Sequence, residues 1–193
     1  RSLPNDPRIS ELTGYILRRR GQPEQGARNL ERAVELDPRN PLTLQQLAFT
    51  YQTLRRYPEQ AAAWDRALTI LPNDVATKTI RALVDFNWKA ETRPLHETID
   101  SVLVNNPGAI SDAAGDWFVC ALVERDLGAA ERALMALSDN PFWIDSAVLL
   151  SRSFGEGFLA RMMKDEARAH AAFTKARLEQ GKTVQGQPGY GAP

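Results

Sequence analysis

Cysteine is nearly absent from this 193-residue chain, where Cys120 stands alone. A single thiol excludes an internal disulfide framework and a four-thiolate metal site. Histidine is almost as scarce, with only His96 and His170. His96-Glu97 lacks the second histidine one turn on that a zinc-protease helix needs. Neither sign of charge is in excess, because 24 Lys and Arg balance 24 Asp and Glu. A general grip on nucleic acid and a polybasic dock on a membrane both work through surplus positive charge, so neither partner is expected. No run approaches the roughly 18 consecutive apolar residues of a membrane span. Gly and Pro number 12 each, too few for collagen or low-complexity disorder. What remains is a chain with 43% hydrophobic residues, long enough to bury a sizeable core.

The chain repeats itself. Leu3-Pro4-Asn5-Asp6 recurs as Leu71-Pro72-Asn73-Asp74, with Asp37-Pro38-Arg39-Asn40 midway. The prolines at 4, 38, 72, 107 and 141 follow one another at spacings of 34, 34, 35 and 34. Asp6-Pro7, Asn40-Pro41 and Asp74-Val75 keep the same period, each offering an N-cap side chain and twice a proline at the first helical position. Between these marks the apolar spacing is helical twice over. Leu44, Leu47, Ala48 and Tyr51 define one face; a polar break follows at Arg55-Arg56; Ala61, Trp64, Ala67 and Leu68 define a second. Each unit is read as two antiparallel helices of about 13 residues within a 34-residue period.

These units resemble the tetratricopeptide repeat. The second unit carries Leu44, Leu47, Ala48, Tyr51, Trp64, Ala67 and Pro72 at signature places, with Gln60 where a small residue is usual. The first carries Gly14, Leu17, Gly26, Leu30, Ala33 and Pro38, but has Ser10 and Thr13 at usually apolar places. The third is degenerate, keeping Ala82 or Leu83, Leu95, Ile99, Val102 and Pro107. The fourth keeps Ala129, Ala136 and Pro141, with Trp117 and Cys120 in its first helix. The fifth has Gly157, Ala160, Ala169, Phe173 and Ala176, after an insertion around Phe142 to Leu150. The resemblance implies an all-α, right-handed α-solenoid of about five repeats over residues 1–180, without strands, and a protein-interaction role. Residues 181–193 read as a flexible tail or the start of a further repeat. Arg1 to Pro4 read as the tail of an earlier repeat, so the sequence is taken as a piece of a longer bacterial protein, cytoplasmic by default. The wording of the repeats also resembles regions that accompany nucleotide-cyclase or protein-kinase domains in bacterial signalling proteins.

Signatures of chemistry fail on spacing. Gly181-Lys182-Thr183 would need a glycine where Ala176 stands, and it closes a helix instead of opening one. Gly155-Glu156-Gly157 reads as close packing. Cys120 lies among Trp117, Phe118, Ala121 and Leu122 and reads as an inert buried thiol. Arg18-Arg19-Arg20 and Arg55-Arg56 end first helices, where cations complement the helix dipole. No catalytic residue, metal or cofactor is expected.

The first helix of each pair lines the concave face of such a solenoid. At 100° per residue, Leu42, Gln45, Phe49 and Gln52 fall away from the core face centred on Leu44, Leu47, Ala48 and Tyr51. Carrying Phe49 through the repeats reaches Tyr15, Val84, Phe118 and Phe158, four of five places being aromatic. Trp88 lies one turn beyond Val84. The expected groove is therefore Tyr15, Gln45, Phe49, Gln52, Val84, Trp88, Phe118 and Phe158, holding a segment of a partner protein, with neither Tyr15 nor Phe49 needed for the core. The resemblance also raises the lysine–asparagine–arginine clamp on a chaperone's C-terminal carboxylate. The equivalent places are Glu11, Tyr15, Gln46, Thr77 and Arg81, and only Arg81 fits, so that partner is not expected.

Overall fold

Asp6, Asn40 and Asp74 all cap helices as their spacing demands. The Asp6 carboxylate accepts from the Arg8 N–H, Asn40 from Leu42 and Thr43, and Asp74 from Thr77. The computed structural model describes residues 5–137, 141–144 and 148–186. Among these are five first helices: α1 (Pro7–Arg19), α3 (Pro41–Thr53), α5 (Val75–Lys89), α7 (Ser111–Glu124) and α9 (Arg152–Met162). Each is followed by a second helix: α2 (Pro23–Leu36), α4 (Tyr57–Ile70), α6 (Arg93–Asn105), α8 (Leu127–Ala136) and α10 (Glu166–Gly186). The helix-turn-helix architecture is the expected one.

What stops each first helix is a single left-handed residue. Gly21, Arg55, Ala90, Arg125 and Lys164 have φ between 55° and 73°. Only the first is glycine; the other four accept the steric cost of a side chain at positive φ. The following N–H then reaches back to cap the helix. Gln22 donates to Leu17 O, Arg56 to Tyr51 O, Asp126 to Ala121 O and Asp165 to Ala160 O, each at 2.9 Å. The third turn differs, because Ala90 donates to Phe86 O at 2.9 Å. There α5 runs one residue further before it reverses.

The chain divides into two compact units, Arg1–Pro94 and Leu95–Pro193. The break falls inside the degenerate third repeat, with α5 in the first unit and all of α6 but Arg93 and Pro94 in the second. In the first unit Leu30, Leu44, Leu47, Ala48, Trp64, Ala67 and Val84 form one buried cluster. In the second unit Ala113, Ala114, Trp117, Phe118, Ala130, Leu134, Leu159 and Ala160 are buried. Small residues let helices approach. A Cβ on Gly26 would stand 3.0 Å from Gly14 O and 3.3 Å from Arg18 N, both backbone atoms.

One expectation is corrected. The insertion forms a short antiparallel hairpin, β1 (Phe142–Ile144) pairing with β2 (Val148–Leu150), where no strand was expected. Its Phe-Trp-Ile and Val-Leu-Leu runs are aromatic and branched, the residue types that favour pleated backbone. Phe142 anchors it to α7, with its ring 5.5 Å from that of Phe118 and its Cβ filling the space above Gly115. α10 runs to Gly186, so residues 181–186 of the segment expected as a flexible tail or the start of a further repeat are helical; residues 187–193 lie outside the described residues.

Candidate functional site

The caps and burial pattern fix which residues are equivalent along the repeats. Thr43, Leu44, Leu47, Ala48, Thr50 and Tyr51 are buried in α3, and Ala113, Ala114, Trp117, Phe118, Cys120 and Ala121 are buried at the same relative places in α7. Phe118 therefore takes the core place of Ala48, and the residue equivalent to Phe49 is Val119. Likewise Thr43, Ala48 and Thr50 correspond to the buried Thr77, Ala82 and Val84. Val84 takes the place of Thr50, and Leu83 that of Phe49. Two expected groove residues, Val84 and Phe118, are thus core residues. The assignment slipped by one because α5 and its turn hold an extra residue, which moved the count off the helix start.

The corrected ladder is Tyr15, Phe49, Leu83, Val119 and Phe158. None of the five is fully buried. The first three stand on α1, α3 and α5 of the first unit; Val119 and Phe158 belong to the second. Tyr15 donates its hydroxyl proton to Glu11, and burial together with that carboxylate pushes the phenol well above its ordinary range. The Phe49 ring meets Trp64 edge to face, and both it and Tyr15 pack against the buried cluster, where neither was expected to be needed for the core. Phe158 stacks on Phe154 with ring centroids 6.5 Å apart and remains 44% exposed.

Polar side chains tie successive first helices together. Arg18 Nη2 donates to Gln46 Oε1 at 2.8 Å and Nη1 to Gln46 O at 3.2 Å. Through these bonds the guanidinium bridges two repeats as well as standing at a helix end, and its partial burial there lowers its pKa. Gln45 Nε2 donates to Thr77 Oγ1 at 3.2 Å, which spends it on α5. Gln52 is half-buried. Trp88, 45% exposed, stacks on Tyr57 at the start of α4, with the Lys89 ammonium 4.5 Å from its ring centre. Arg81 is held by Asp65 at 2.7 Å and Asp85 at 2.8 Å, so the one clamp-like residue is already paired.

Two other clusters were not legible in the sequence. His96 on α6 and Cys120 and Glu124 on α7 bring one nitrogen, one sulfur and one oxygen within 4.8 Å of one another. These donor types suit zinc. Here, however, His96 Nε2 bonds Glu124 at 2.9 Å, while burial and that carboxylate push the Cys120 thiol up to about 12. The protonated thiol and an imidazole–carboxylate pair form a satisfied network. A polar cavity of about 410 Å³ lies between α9 and α10, lined by Arg152, Ser153, Glu156, Lys175 and Glu179. Its charges face one another, Arg152 pairing with Glu156 at 2.9 Å and Lys175 with Glu179 at 3.8 Å, and the Ser153 hydroxyl also donates to Glu179. No helix among the described residues is long and apolar enough to cross a membrane.

No family model and no curated protein matches the sequence. Solved structures do match. A MamA fragment from Desulfovibrio magneticus RS-1 is 20% identical with a TM-score of 0.61, over 91% of this chain and 96% of that one. A tetratricopeptide repeat protein from Parabacteroides merdae is 15% identical with a TM-score of 0.60, over 91% and 67% of the two chains. YrrB, described as a TPR protein with an unusual peptide-binding site, is 14% identical with a TM-score of 0.50, over 96% and 89%. At these identities the likeness speaks for architecture, and it agrees with the caps, turns and small-residue contacts described above: the chain has the tetratricopeptide-repeat fold.

Proposed function

We propose that the chain is a non-catalytic interaction module of a larger regulatory protein in the cytoplasm. Its first unit holds an apolar segment of a partner protein across α1, α3 and α5. The carrying observation is that Tyr15, Phe49 and Leu83 occupy one register place on three successive first helices, and all three are incompletely buried. An extended run of first helices is the surface that stacked repeats use for binding. Hydrogen bonds such as Arg18–Gln46 and Gln45–Thr77 hold those helices in fixed relation, which limits the ordering cost of binding. The peptide-binding site named for YrrB supports the same reading.

A random peptide library displayed on phage and selected on the purified chain tests it. Selected peptides should carry apolar residues at two or more spaced positions. Their binding should fall in Tyr15→Ser and Leu83→Ser. Binders indifferent to both substitutions would place the recognition surface elsewhere. A structural or stacking segment with no peptide ligand is the second reading, and one observation favours it: α1 turns an aliphatic face to solvent.

A further inference from the structure

Ile9, Leu12 and Ile16 form a stripe at helical spacing on α1 and are 52%, 59% and 53% exposed. Their equivalents in the next repeat are Thr43, Gln46 and Thr50, of which Thr43 and Thr50 are 2% and 0% exposed. One repeat further they are Thr77, Ile80 and Val84, with Thr77 and Val84 each at 1%. What covers this face in α3 and α5 is the repeat before it. Arg18 of α1 reaches Gln46 and Thr50, Gln45 of α3 reaches Thr77, and α2 and α4 pack on α3 and α5. The same face in α1 is the most apolar of the three and is uncovered. Single exposed aliphatics are ordinary on a protein surface, but three in register on a face that is a repeat junction elsewhere are not.

We propose that the Ile9–Leu12–Ile16 face is a stacking site for a further helix-turn-helix repeat, one that meets α1 through the Leu3-Pro4-Asn5-Asp6 junction. That junction copies Leu71-Pro72-Asn73-Asp74, the sequence that joins α4 to α5. The chemistry of the occupant follows from the face. Within the chain, Arg18 and Gln45 meet threonine and glutamine; against three aliphatic side chains a buried guanidinium or amide would be left unpaired. The arriving first helix therefore carries aliphatic or small residues at those two places. A second copy docking head to tail fits poorly. The places on α10 equivalent to Ala27 and Val34 of α2 are His170 and Arg177, both exposed, which is the polar outer face of a capping helix. This inference rests on the stacking reading and not on the groove, so the two fail separately.

The test grafts residues 39–72, with Gln45→Ala and Gln52→Leu in the grafted copy only so that both contacting places are apolar, directly ahead of Asn5, which keeps the native junction, and compares the extended chain with the original. The expected result is a higher Tm and slower amide exchange along α1, because neighbouring repeats stabilise one another. Leu12→Glu should remove both gains in the extended chain and leave the Tm of the original unchanged. Two results would overturn the proposal. In one, the grafted repeat is helical by circular dichroism but α1 exchange does not slow. In the other, the original chain sediments as a dimer that Leu12→Glu dissociates, which would give the face to a second copy.

Discussion

Phe49 meets Trp64 edge to face, with ring centroids 5.2 Å apart and planes at 86°. The contact joins the exposed side of α3 to the most deeply buried aromatic of α4. It gives Phe49 a packing role, whereas its helical angle alone placed it wholly in the expected groove. Edge-to-face pairs contribute beyond the area they bury. Phe49→Ser should cost about 1–3 kcal/mol, near the transfer energy of a partly buried ring. Phe49→Leu should recover most of that. Trp64→Ala, by emptying a site that is 1% exposed, should cost about 3–5 kcal/mol. Denaturant melts of the three variants check the order.

The glycine pair of the first repeat gives a sharper test, since helix propensity and packing oppose each other there. Gly26→Ala gains about 1 kcal/mol of propensity. Its new Cβ would stand 3.0 Å from Gly14 O and 3.3 Å from Arg18 N, and backbone atoms cannot turn aside as a side chain can. Packing should win, with a net loss of about 1–3 kcal/mol from overpacking. Gly181→Ala, where an added Cβ meets nothing within 4 Å, should be neutral or stabilising. A Gly26→Ala variant that melted above the parent would separate α1 from α2.

Asp116 on α7 is lifted by burial from 3.8 to about 6. The folded chain then holds this proton more tightly than the unfolded chain. The site's contribution to stability is full below the unfolded value and is lost as pH rises through the folded one. Stability should therefore fall between pH 4 and 6 on account of this carboxyl. Asp116→Asn should flatten that stretch and stabilise the protein at pH 7 by up to about 3 kcal/mol, the equivalent of about two pKa units. Urea melts at several pH values on the parent and the variant measure it.

Local chemistry made the repeats readable. Asp6, Asn40 and Asp74 cap where they stand because an N-cap needs only its own helix, and Gly14, Gly26 and Gly157 mark close approaches where an added Cβ would force a neighbour to shift. The helix register of the third and fourth repeats was not readable, because it depends on a turn one residue longer at Ala90. That backbone choice involves a left-handed alanine, which composition does not advertise. His96 and Glu124 are 28 residues apart, and only the fold brings them to 2.9 Å. The aliphatic stripe of α1 was present in the sequence. Its meaning needed the buried Thr43 and Thr50 for comparison.

The neighbours Leu83 and Val84 separate groove from core most directly, because a shift of one residue along α5 exchanges their roles. Val84 is 1% exposed and Leu83 is half-buried. Val84→Ser leaves a gap and a hydroxyl in the core, and should cost about 2–4 kcal/mol. Val84→Thr should cost less, since Thr50 fills the equivalent place and returns its hydroxyl to Gln46 O at 2.8 Å. Leu83→Ser removes an apolar group that the fold needs less, and should change stability by about 1 kcal/mol or less. Under the proposed groove its effect should fall on binding, where losing an anchor side chain costs about 2 kcal/mol if that residue is a hot spot. Melting and peptide affinity are to be measured on all three variants. A Leu83→Ser variant that unfolds, beside a Val84→Ser variant that does not, would return Val84 to the groove and reverse the register assigned to α5.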